Sequence, residues 1–303
     1  MQRVSYRGWE DCARFESGQA EIIATLEVGP RIVRLGIKDG PNEFHKFPET
    51  LGQKGGDEFK PYGGHRLWAA PEVEEVTYEP DNEAVELFDD PHGQGMRTTG
   101  TKLGLTREMV VAPRGDEGCF VIRHRIRNTG EQTRKIAPWA LTVMETGGEC
   151  IFPQADYQPH PDALLPVRPM ALWAYTDMAD PRFTWGTKLV RLRQRYIERP
   201  LKVGLGLSQG WAAYANHGNL FVKRFAYDKQ AEYPDFGCNF ETFTREDMLE
   251  IETLGALQEV APGEAVEHAE TWYLVQDVKL DSEDAKCAAQ LKEIVDRCPM
   301  VEA

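Results

Sequence analysis

An all-β fold of antiparallel sheets is what this sequence predicts, on three observations. Before residue 280, nearly every apolar segment either alternates with polar residues or runs for only four to eight positions. Turn signals break these runs at short intervals, and a helical period is found only at the end of the chain.

The elements follow in order. Ile22, Ala24, Leu26 and Val28 alternate up to Gly29-Pro30; Val33, Leu35 and Ile37 resume until Asp39-Gly40-Pro41-Asn42, which predicts a hairpin. Val76 and Tyr78, with Val85 and Leu87, flank Pro80-Asp81-Asn82-Glu83 and predict a second. Residues 105–112 and 119–127 surround a Pro/Gly/Asp turn. In the latter strand Phe120, Ile122, His124 and Ile126 share one face, and Arg123, Arg125 and Arg127 the other. On that apolar face His124 reads as a core histidine, and the arginine row as a solvated face. Further strands are expected near 189–197, 201–207, 211–215, 220–227, 248–254 and 268–275. Residues 153–182 carry repeated prolines and predict a long ordered excursion of the kind that often borders a site. A short helix is expected at about 281–298, capped by Ser282, with Ala285, Ala288, Leu291, Val295 and Cys298 on one side.

Composition narrows the class. The 303 residues are 41% hydrophobic, enough for one large core, and are read as a single domain over 1–303. No apolar run reaches bilayer length, and the first residues lack an apolar leader segment, which places the chain in the cytoplasm as an expectation. A net charge of -14 disfavours nucleic acid and anionic membrane and favours a small neutral molecule, unless Arg66, Arg97 and Arg224 converge on an acidic one. The six cysteines show no CxxC and read as reduced structural thiols.

The densest chemical signal is Gly63-Gly64-His65-Arg66-Leu67-Trp68-Ala69-Ala70-Pro71-Glu72. It combines a proton-transfer group, a fixed cation, an aromatic surface and a carboxylate behind two glycines that let the backbone approach a ligand closely. Sugars offer apolar C–H faces that stack on indole and hydroxyls that need fixed donors and acceptors. The bland alternative is a turn followed by a core tryptophan. No dinucleotide fingerprint, P-loop, HExxH or GxSxG is present, so no cofactor is expected. No metal is expected either, although His65 with Glu72, or His92 with a remote carboxylate, could meet in space.

The segments "EIIATLEVGPRIVRLGIKDGPNEF", "GGHRLWAAPE", "IRNTGEQTRKIAPWALTVM", "YPDFGCNFETF" and "MLEIETLGALQEVAPGEAVEHAETWYL" follow one another in an order that resembles the galactose-mutarotase-like β-supersandwich, over most of residues 15–278. The resemblance implies a supersandwich of antiparallel sheets and a carbohydrate ligand. In the aldose epimerases of that superfamily a glutamate shortly before a Pro-Gly turn acts as base; Glu252 is the nearest match, with Glu250 on the same side of its strand and Glu241 as a rival. The strand that follows the turn at Asn128 to Gly130 resembles the one carrying the family's catalytic histidine. Here it reads Ala137-Pro138-Trp139-Ala140-Leu141 and has none.

Interconverting anomers needs a base at the anomeric hydroxyl and an acid at the ring oxygen. The expectation is therefore Glu252 as base and His65 as acid, with His92 as the alternative acid. Arg66, Trp68, Glu72, His92, Arg97, Lys223, Glu241 and Glu250 are the expected binding residues. Each has a structural alternative: Glu250 and Glu252 could pair with the arginine row, and Lys223 could lie on a solvated face. A non-catalytic carbohydrate-binding domain is the competing class.

Overall fold

The computed structural model describes residues 1–99 and 101–301. Two large antiparallel sheets account for nearly every strand. The first runs, in spatial order, through Gln2–Tyr6, Trp9–Ser17, Ala20–Thr25, Arg31–Ile37, His65–Ala70, Arg134–Met144, Met248–Leu254, Phe240–Arg245, Leu201–Leu205 and Met170–Leu172, with Gln258–Val260 pairing beside Arg134–Met144. The second runs through Phe183–Trp185, Leu189–Arg193, Glu149–Pro153, Trp211–Asn216, Asn219–Phe225, Ala265–Val275, Cys119–Asn128, Leu105–Arg114, Gly93–Arg97 and Glu86–Asp90.

Alternation along each strand sends one set of side chains between the sheets, where Phe44, Phe120, Phe152, Phe221, Leu205 and Trp272 form the main core. The outer face of the second sheet is covered by the helix Asp284–Asp296, which seats Cys287, Leu291, Ile294 and Val295 against Ile151, Leu220 and Val222. The helix is shorter than its apolar period suggests, and Ser282 is not its cap: the cap position is Glu283, without a side-chain bond. Asp284 instead accepts from the Lys188 and Leu189 amides, which ties the helix start to the strand below.

The predicted 22–37 hairpin forms, as Ala20–Thr25 and Arg31–Ile37. The one expected across Pro80 to Glu83 does not. Glu74–Thr77 is a short helix, and Glu86–Asp90 pairs with Gly93–Arg97, so Val76 and Leu87 belong to different structures. Two apolar residues on each side of a Pro-Asp-Asn turn did not distinguish a strand from a single helical turn. All six cysteines are free and buried, and among the described residues no helix is long and apolar enough to cross a membrane.

Candidate functional site

The cleft is built on the outer face of the first sheet by strand register. Trp68 pairs with Trp139 and Arg66 with Leu141; Leu141 in turn pairs with Glu252, and Glu252 with Glu241. Glu250 pairs with Phe243, and Phe243 with Lys202. Directly opposed residues of adjacent strands share a face, so these side chains all project to one side. Above them the excursion contributes Trp173 and Tyr175, and loops contribute Phe47, Phe59, Glu72 and Tyr78. The cleft volume is about 510 Å³, which suits a small polar ligand.

Its charges are arranged in pairs. Arg66 Nη2 donates to Glu250 Oε1 at 3.0 Å, and the guanidinium lies 4.1 Å over the Trp68 ring. Lys202 Nζ stands 2.9 Å from Glu252 Oε2 and 2.7 Å from Glu241 Oε2, between the rings of Trp139 and Trp173 at 4.6 Å from each. Burial alone would strip its proton, but Glu252 and Glu241 outweigh burial and raise the lysine pKa, so it is a fixed cation. Burial also pushes Glu241 well above the usual carboxylate range and raises Glu250, each against the pull of its cation. Trp139 Nε1 donates to Glu252 Oε2 at 2.8 Å; Glu252 Oε1 is buried without a partner, as is Arg66 Nε.

His65 points the other way. Alternation puts Arg66 and Trp68 in the cleft and His65 between the sheets, where it is fully buried. It therefore cannot act across a ligand from Glu252, and the expected acid and base pair does not form. Gly63 and Gly64 serve packing rather than a ligand: both have positive φ, and a Cβ on Gly64 would meet the Ile32 carbonyl at 2.2 Å.

The buried face of the sheet carries a polar network instead. Lys223 Nζ donates to Thr142 Oγ1 at 2.8 Å and pairs with Glu270 at 2.9 Å. Thr142 is then free to donate to His65 Nδ1 at 2.8 Å, His65 Nε2–H to His124 Nε2 at 2.7 Å, and His124 Nδ1–H to the His268 carbonyl at 3.2 Å. His268 Nε2 bonds Thr253 Oγ1 at 2.7 Å, and Thr253 and Trp272 donate to Glu270. Burial pushes His65 well below its ordinary value, His124 to about 4 and His268 to about 3. Glu270 is held low despite burial, by Lys223 and the surrounding imidazoles. His65, His124 and Glu270 place metal-binding atoms within 4.8 Å of one another. Their hydrogen-bonding capacity is already filled, and Lys223 neutralises the single carboxylate.

Other expected residues scatter. His92 is exposed at a hairpin turn, 3.3 Å from Arg123, and Arg97 pairs with Glu86 across the same hairpin. Arg224 donates to the Gly210, Val295 and Cys298 carbonyls beneath the helix, so the three arginines do not converge. Lys223 lies in the core, not on a solvated face. Part of the arginine row is paired: Arg125 meets Asp90, Glu108 and Glu267. Glu250 and Glu252 belong to the opposite sheet and do not join it. The structure does bring together Arg66, Trp68, Glu72, Glu250 and Glu252, with Glu241 behind Lys202. Sequence reading missed Lys202 and Tyr175 and gave Trp139 no role; a lone lysine among Leu201, Val203 and Leu205 was the available signal.

No protein-family model and no curated protein matches the sequence. Solved structures do match. A candidate aldose 1-epimerase from Klebsiella pneumoniae superposes with a TM-score of 0.60 at 12% identity, over 97% of this chain and 86% of its own. One from Escherichia coli K12 gives 0.54 at 10%, over 88% and 99%. A galactose mutarotase-like protein from Lactobacillus casei gives 0.51 at 10%, over 87% and 99%. Together with the two antiparallel sheets and the short C-terminal helix, these likenesses show that the chain has the galactose-mutarotase-like supersandwich fold.

Proposed function

We propose that the cleft binds a saccharide and interconverts its anomers by acid and base catalysis, as an aldose 1-epimerase does. The observation that carries this reading is Glu252: a buried carboxylate with one oxygen held by Trp139 and Lys202 and the other unpartnered, beneath aromatic walls. Ring opening requires a proton to leave the anomeric hydroxyl and one to reach the ring oxygen; rotation about one bond and closure on the other face complete the exchange. Glu252 Oε1 is the acceptor in this scheme. Glu250 takes the acid role intended for His65, because it faces the cleft two residues along the same strand and its raised pKa lets it hold a proton nearer neutrality. Arg66 orients Glu250 and offers Nε to a hydroxyl, while Trp68 and Trp139 support the apolar face of the ring. The named activities of the structural neighbours support the sugar class, and the buried thiols suit a reducing compartment such as the cytoplasm.

The test is magnetisation exchange between anomers by NMR over a panel of aldoses. Accelerated exchange, lost by about 10²- to 10⁴-fold in Glu252→Gln with folding retained, is the expected result. Undiminished exchange in that variant would remove Glu252 as base. A second reading, carbohydrate binding without turnover, is favoured by one observation: among the described residues no histidine lines the cleft. Binding without exchange in the unmutated protein would select it.

A further inference from the structure

We infer that the Glu72 end of the cleft receives an ammonium group, which makes a sugar carrying a protonated amine the ligand class; this rests on the saccharide reading above. The argument begins with charge pairing. Each cation lining the cleft already faces a carboxylate: Arg66 faces Glu250 at 3.0 Å, Lys202 faces Glu252 at 2.9 Å, and Arg245 faces Asp247 at 2.8 Å. Lys202 has Glu241 as a second counter-charge. Glu72 is the exception, an exposed carboxylate at the cleft rim with no cationic partner among the described residues.

Its surroundings suit a cation. Glu72 Oε1 accepts from the Tyr78 hydroxyl at 2.7 Å, which positions the carboxylate. Burial and Glu72 push that phenol up to about 12, so it remains a donor. Tyr78, Phe59 and Trp68 form a mutually tilted trio with centroids 5.4, 5.8 and 5.1 Å apart. The Trp68 ring already carries the Arg66 guanidinium at 4.1 Å, so it is the Tyr78 and Phe59 rings that offer aromatic surface to a further cation, and the Glu72 carboxylate beside them adds a full charge. An anionic group entering here would meet the Glu72 carboxylate, which has no ion-pair partner among the described residues. A net charge of -14 also favours the approach of a cation over that of a sugar phosphate or uronate.

The experiment measures dissociation constants by calorimetry for glucose, galactose and mannose beside their 2-amino and 2-acetamido counterparts, at a pH where the amine is protonated. The expected result is one amino sugar binding about tenfold tighter than both its neutral counterparts, with the advantage shrinking as salt rises and abolished in Glu72→Gln. Equal affinity for the amino and neutral forms would overturn the inference while leaving the saccharide reading intact. So would an advantage that survives in Glu72→Gln. Failure of every sugar to bind would remove the saccharide reading and this inference with it.

Discussion

Lys202 decides the electrostatics of the cleft floor. Its Nζ is the counter-charge shared by two buried carboxylates, and removing one partner from such a group leaves charge stranded away from water. Lys202→Met is expected to destabilise the protein by about 3–5 kcal/mol, read as a shift of the urea midpoint. The loss should depend on pH. Glu241 has a folded-state pKa above its unfolded value, so its favourable contribution is complete below the unfolded value and is lost as pH rises through the folded one. The deficit in Lys202→Met should therefore grow as pH rises through and above the folded-state value of Glu241 in the unmutated protein, since the variant raises the Glu241 pKa further. A deficit independent of pH would mean that the lysine matters for its stem packing against Trp139 and Trp173 alone.

The elements that carry the site were legible to different degrees. Met248–Leu254 was expected as a strand with Glu250 and Glu252 on one side, and it is one, because period-2 alternation is a local property. The same rule separates His65 from Arg66 in His65–Ala70, but which face meets the core is settled only when neighbouring strands pair. His124 reads from sequence as a core histidine, and its partner His65 comes from 59 residues away, beyond any local pattern. The excursion was expected to border a site and supplies Trp173 and Tyr175 to the cleft. The turn before the His65 strand is a packing device: Gly64→Ala would place a Cβ at φ 68 against the Ile32 carbonyl. It should cost about 1–3 kcal/mol by thermal or chemical unfolding. A neutral outcome would show that the loop at 63–64 yields without disturbing the sheet.

At the scale of the whole molecule the two sheets meet through a neutral histidine network as well as through apolar packing. Because burial lowers the pKa values of His65, His124 and His268, their stabilising contribution is complete above the unfolded value near 6.5 and is lost as pH falls toward the folded ones. Each unit of acidification below about 6.5 should cost about 1.4 kcal/mol per histidine until those lower values are reached. Denaturant titrations between pH 7.5 and 4.5 read this as a falling midpoint, which His124→Phe should make shallower. A flat midpoint across that range would contradict neutral burial of the three rings. The sequence by itself determined the all-β class, most strand positions and the chemical character of the segment from His65 to Glu72, since each follows from local alternation and residue type. Only the tertiary structure decided that His65 belongs to the core, that Lys202 joins Glu252, and that Glu72 has no cationic partner among the described residues. Pairing of strands distant in sequence, and the solvent it excludes from one sheet face, fix which neighbours a charged side chain meets.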